Sequence, residues 1–140
     1  MVGDFVRDKD AITSALVACE LGSECKTNNS NIIDYLINCY IKYGFYKERL
    51  ISIKKEGAKG LEEISDIMNS LRTSGINMID GIRLKFIKDF ESSSKQDPVK
   101  GNSSKLDFPK SNVLIFETED GTTVAARPSG TEPKIKFYIS

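Results

Sequence analysis

Apolar residues recur at helical spacing twice in the first third of the chain, and then the period shortens to two. Ile12, Ala15, Leu16 and Cys19 fall on one face of a helix that Asp8 or Asp10 can cap and that runs to about Glu24. Ile32, Ile33, Leu36, Ile37, Tyr40 and Ile41 mark a second helix, capped by Ser30 or Asn31 and stopped by Gly44. Both helices have wide apolar faces and no strand of their own, so a sheet supplied from elsewhere is expected to cover them. From Tyr46 the pattern changes. Residues 48–54 read as a strand, with Leu50, Ile51 and Ile53 in a β-branched run. Gly57 and Gly60 introduce a helix over about 60–73, with Leu61, Ile64, Met68 and Leu71 at helical spacing. A second strand is expected at 83–90. Residues 91–110 hold five serines and two prolines and read as an exposed loop. Residues 112–118 and 122–126 form a hairpin around Glu119-Asp120-Gly121. The last strand, 134–139, turns Ile135, Phe137 and Ile139 inward and Lys134, Lys136 and Tyr138 outward.

This order of elements predicts an α+β fold: a small domain with one helical layer on a mostly antiparallel sheet, preceded by two helices. The chain has 140 residues, enough for one core. Its 20 basic and 20 acidic side chains cancel, which argues against a chain-wide footprint for nucleic acid or for an anionic membrane. There is no histidine, so Ser-His-Asp catalysis, Cys-His catalysis and histidine-ligated metals are excluded within these residues. Cys19 and Cys39 occupy apolar helical positions and, with Cys25, are expected to be free thiols of a reducing cytoplasm, the first two buried. No apolar run reaches the roughly 18 residues of a membrane span, and no signal-peptide core is seen at the N-terminus.

Candidate chemistry gathers at Arg127-Pro128-Ser129-Gly130-Thr131-Glu132-Pro133. Two prolines with fixed φ lower the entropy lost when this loop is ordered, and Pro128 biases Arg127 toward extended backbone. Ser129 and Thr131 offer hydroxyl donors, Gly130 permits close approach of backbone N–H groups, and Arg127 adds a planar fork suited to phosphate. By residue type alone the segment reads first as an ordinary turn between two strands.

Residues 127–138, Arg-Pro-Ser-Gly-Thr-Glu-Pro-Lys-Ile-Lys-Phe-Tyr, resemble the phosphate-binding loop in the last domain of the alpha-D-phosphohexomutase superfamily, the phosphoglucomutases and phosphomannomutases. Val2-Gly-Asp-Phe-Val-Arg-Asp-Lys-Asp10 and the helix after it resemble the close of the family's third domain, most like the phosphoglucomutase-2/phosphopentomutase branch. Tyr43-Gly-Phe-Tyr46 resembles the crossover into the fourth. The resemblance implies a C-terminal fragment: residues 1–45 as the closing helices of domain three, and 46–140 as a TATA-binding-protein-like domain four without its last helix. It assigns phosphate binding to Arg127, Ser129, Gly130, Thr131 and Lys136. Lys9 matches a lysine of phosphoglucomutase active sites, although by its neighbours alone it is equally a solvated charge beside a helix start.

The family's catalytic serine, its Asp-x-Asp-x-Asp magnesium loop and its Glu-Glu sugar-recognition loop have no counterpart in these residues. The resemblance therefore implies a part that clamps the non-reacting phosphate of a sugar phosphate during intramolecular phosphoryl transfer and is inactive alone. Magnesium would be bound outside it, with a glucose 1,6-bisphosphate-type activator and the remaining mutase domains as partners. The alternative is a stand-alone anion-binding or partner-binding module. Nucleic acid is disfavoured by Glu117, Glu119 and Asp120 on the hairpin, which would repel a phosphate backbone.

Overall fold

In the computed structural model, which describes residues 10–57 and 59–140, Asp10 starts the first helix, α1 (Ala11–Thr27). Its carboxylate accepts from the Ile12 N–H at 2.9 Å and from the Thr13 hydroxyl at 2.8 Å. The first of these bonds satisfies an N–H group that the first helical turn leaves open. The second helix, α2 (Ile32–Tyr43), begins in the same way. The Asn31 side chain accepts from the N–H groups of Ile33 and Asp34 at 2.9 and 3.0 Å. Gly44 ends it with φ +101°, a conformation that glycine adopts without a Cβ penalty. Asp8, the other candidate cap, lies outside the described residues.

The chain divides into two compact units, Met1–Tyr46 and Lys47–Ser140. In the first, the two helices leave their apolar faces open: Ile12 is 82% exposed and Ile41 78%. The cysteine expectation is corrected here. Cys25 is the buried thiol, Cys19 is exposed and Cys39 is half-buried, all three unbonded. Helical periodicity put Cys19 and Cys39 on an apolar face, but periodicity does not say that a face is covered. Burial occurs instead near the turn joining the helices, where the Ser30 N–H donates to the Cys25 carbonyl at 2.8 Å.

The second unit is α+β, as its pattern predicts. It runs β1 (Arg49–Lys54), α3 (Gly60–Thr73), β2 (Met78–Ile79), β3 (Ile82–Asp89), β4 (Ser94–Gln96), β5 (Ser103–Lys105), β6 (Leu114–Thr118), β7 (Thr123–Pro128) and β8 (Lys134–Ile139). The strands lie in the order β1-β8-β7-β6-β3-β4-β5, every pair antiparallel, with β2 paired to β3 off this path. The stretch 91–110 is not all loop. Polar residues form β4 and β5, with Ser94 opposite Lys105 and Gln96 opposite Ser103. The Asp97 carboxylate closes the turn between them by accepting from the Val99 and Lys100 N–H groups at 3.0 and 2.9 Å. Neither strand carries an apolar residue, so no hydrophobic alternation reveals this hairpin.

The core lies between α3 and one face of the sheet. Ile64 and Met68 of α3 pack with Leu84, Leu114, Phe116, Ala126 and Ile135, all buried. Each large apolar side chain so buried contributes about 1.5–3 kcal/mol relative to exposure. Side chains alternate along a strand, so the neighbours of these residues point to the face away from α3. At its start α3 meets the end of the loop that joins β7 to β8. A Cβ on Gly60 would stand 2.8 Å from the Cβ of Pro133, so only glycine allows the helix this close. Among the described residues no helix is long and apolar enough to cross a membrane.

Candidate anion-binding site

Register brings the basic side chains of the site together. Arg127 on β7 is opposite Lys136 on β8, and Lys136 is in turn opposite Ser52 on β1. Lys134 is opposite Lys54, also on β1. These residues share the face away from α3, because Ala126 and Ile135, their sequence neighbours, are buried on the other. The loop lies at the strand ends, one strand in from the lateral edge, since β1 pairs alongside β8. That placement adds Lys54 to the neighbourhood.

The loop folds over an open depression of about 240 Å³. Arg127, Ser129, Gly130 and Lys136 line it, together with Pro128, Glu132, Lys134 and Tyr138. Thr131 is exposed beside it and is not part of the lining. Lys9 lies outside the described residues.

The loop's internal bonds decide which donors face outward. The Ser129 N–H donates to the Lys134 carbonyl at 2.7 Å. The Ser129 hydroxyl oxygen accepts from the Glu132 N–H at 3.3 Å and, at a long 3.5 Å, from the Thr131 N–H. The Ser129 amide is thus committed to holding the loop, and its hydroxyl retains one proton to give to a ligand. Pro133 is anchored too: its carbonyl accepts from the Lys55 N–H at 2.8 Å. A Cβ placed on Gly130 would meet nothing within 4 Å, so open space stands over the loop tip where an anion would sit. What the arrangement can do is bind a compact anion through the Arg127 fork, the lysine ammoniums and the Ser129 hydroxyl.

The loop also holds a carboxylate. Glu132 Oε2 is 2.5 Å from Lys134 Nζ. The hydrogen bond from Lys134 and that residue's charge hold the Glu132 carboxyl below its usual range, with smaller help from Lys54 and Lys136. Elsewhere on the open face Lys88 pairs with Glu117, which compensates one of the hairpin's acidic charges. Lys134, Lys54 and Glu132 were not singled out from the sequence. Lys134 was legible, since it shares the parity of Lys136. Lys54 was not, because only the β1–β8 register brings it here. Among the described residues no three His, Cys, Asp or Glu side chains gather as metal ligands do.

No family model matches the chain. Along 136 residues, 97% of its length, it is 38% identical to a phosphoglucomutase of Staphylococcus aureus strain MRSA252, and 37% identical to that of the bovine strain RF122 / ET3-1. It spans about a quarter of these relatives, 24% of each. Among solved structures, an open form of parafusin from Paramecium, an exocytosis-sensitive phosphoprotein described as a phosphoglucomutase, superposes with a TM-score of 0.51 at 16% identity. That match covers 96% of this chain and 22% of the other, and at this identity it speaks to the fold alone. By its sequence relatives, the chain belongs to the alpha-D-phosphohexomutase superfamily, as a phosphoglucomutase homologue corresponding to about a quarter of such a protein.

Proposed function

We propose that this chain is the phosphate-binding part of a sugar-phosphate mutase, with residues 1–45 closing the third mutase domain and 46–140 forming most of the fourth. The observation that carries the reading is the register of Arg127 against Lys136 at the mouth of the depression under the loop. Two cations on adjacent strands, a hydroxyl and open space over Gly130 suit a phosphate better than an apolar or cationic ligand. In a mutase the phosphate gripped here is the one not reacting. Binding energy gathered away from the chemistry then positions the sugar's other end for phosphoryl transfer.

The same proposal takes in Arg127, Ser129, Gly130 and Lys136 as phosphate contacts, with Thr131 reached only if its exposed hydroxyl turns inward. Lys9 serves as an active-site lysine. Magnesium, which the family implies, finds no ligand set among the described residues. It belongs with the remaining mutase domains. A cytoplasmic setting and a bisphosphorylated sugar activator complete the reading.

Titration of the 140-residue chain with glucose 1-phosphate tests it. Backbone amides at 127–136 are expected to shift with an affinity on the order of millimolar, or about −4 kcal/mol, because the site is open and lacks partner domains. A coupled mutase assay on the chain alone, with glucose 1,6-bisphosphate and magnesium, is expected to match buffer. Turnover above buffer, or amides of 127–136 that do not move, would contradict the reading.

A further inference from the structure

One carboxylate stands among the cations of this site. Glu132 lies two residues before Lys134 on a loop held between Pro128 and Pro133, and its Oε2 rests 2.5 Å from Lys134 Nζ. Both side chains line the depression that Arg127 and Lys136 face. From β8 Lys134 pairs with the carboxylate, and the charges of Lys136 on β8 and Lys54 on β1 act on it more weakly. Lys55 is turned elsewhere, toward Glu63 at 3.0 Å.

We propose that Glu132 is a tethered counter-ion that competes with an incoming phosphate for Lys134. The inference rests on the phosphate reading of the loop and adds a residue that sets how tightly the loop holds its ligand. The carboxylate is tied to the loop by its own backbone, so it returns to Lys134 as soon as an anion leaves. While the pair is closed, Lys134 is unavailable. The apparent affinity then falls by the fraction of time for which it is open. With its side chain about half exposed (56%), Glu132 can swing into water when displaced. A clamp that must release its ligand each turnover gains a faster exit from such a competitor.

Inorganic phosphate and sulfate, titrated separately into the full chain, provide the test, read at the Gly130 amide and the Arg127 side chain. Glu132→Gln keeps the size and removes the charge. It is expected to bind both anions about three- to fivefold tighter than wild type, the scale of one exposed ion pair. In a Lys134→Met background the same substitution is expected to gain less than about twofold, because the contested cation is gone. Unchanged or weaker binding by Glu132→Gln overturns the inference, as does a gain that persists undiminished without Lys134. If wild type binds neither anion, or Arg127→Ala binds as well as wild type, the phosphate reading itself fails and the inference falls with it. Thermal melts of each variant separate misfolding from altered binding.

Discussion

Arg127 and Lys136 stand directly opposite each other across β7 and β8, so their side chains leave the sheet on the same face. Directly opposed like charges destabilise a sheet pair. The neighbourhood compensates only in part, since Glu132 is engaged with Lys134. Two cations held adjacent and only partly compensated favour the approach of an anion.

Arg127 is accordingly the residue whose chemistry matters most. Arg127→Ala is expected to weaken phosphate binding about five- to tenfold. Arg127→Lys should weaken it nearly as much, because the charge survives but the planar fork does not. Titrations monitored at the loop amides compare the two. A lysine variant that binds like wild type would remove the bidentate contact from the account.

Gly130 separates folding from binding. Its φ is not positive, and an added Cβ would meet nothing within 4 Å. Gly130→Ala is therefore expected to leave the midpoint of urea unfolding unchanged, or to raise stability by about 0.4–1 kcal/mol through the unfolded state. The methyl group would occupy the approach to the loop tip and cut anion affinity severalfold. Calorimetry with phosphate and urea titrations read the two effects independently.

Gly60 is the opposite case. Its Cβ would stand 2.8 Å from that of Pro133 and 3.3 Å from both the Cβ and the carbonyl oxygen of Lys55. Gly60→Ala forces either α3 or the loop to shift, and overpacking of this kind costs about 1–3 kcal/mol. Urea unfolding measures the loss, and shifted amides at 129–134 would show that the strain reaches the donors.

Acid sensitivity has an identifiable source at the hairpin turn. The Thr118 hydroxyl and the Thr122 N–H donate to the Asp120 carboxylate, and these bonds hold its pKa below the ordinary 3.8. A depressed carboxyl contributes stability that is present above the unfolded value and is lost as pH falls through the folded one. Between about pH 5 and pH 2, Asp120→Asn is thus expected to show a shallower decline in stability than wild type. Equal slopes for the two proteins would contradict this source.

Exposed apolar faces on α1 and α2 predict weak local stability. Amides of these helices should exchange with solvent well before those of β6, β7 and β8, whose side chains include the buried Leu114, Phe116, Ala126 and Ile135. Equal protection in a chain shown to be monomeric would count against it.

Much of this architecture was legible in the sequence. Strict alternation in Lys134–Ile139 and the helical spacing of Ile64 and Met68 read directly, because each of these elements buries one face. Asp10, Asn31 and Gly44 were legible as caps because their roles are local. What failed was non-local or polar. The hairpin of β4 and β5 has no buried face to give it a period, and the burial of Cys25 depends on a turn rather than a stripe. In the site, residue types pointed to Arg127, and the family resemblance added Lys136. The commitment of the Ser129 amide to Lys134 and the approach of Lys54 arise from strand pairing, which no single stretch of sequence contains.

The position of β1 has one more consequence. Arg49 pairs with Ile139 at one end of β1 and β8, and Lys54 pairs with Lys134 at the other, about 17 Å away for strands of this length. Where the backbone enters this unit and where its last strand finishes are therefore neighbours, and both are remote from the donors. The unit is suited to circular permutation: a short linker from Ser140 to Lys47, with new termini opened at the exposed Lys100–Gly101 turn, leaves every strand pair around the loop intact. Strand adjacency, and not the order in which the strands are threaded, is what brings Arg127, Ser129 and Lys136 together.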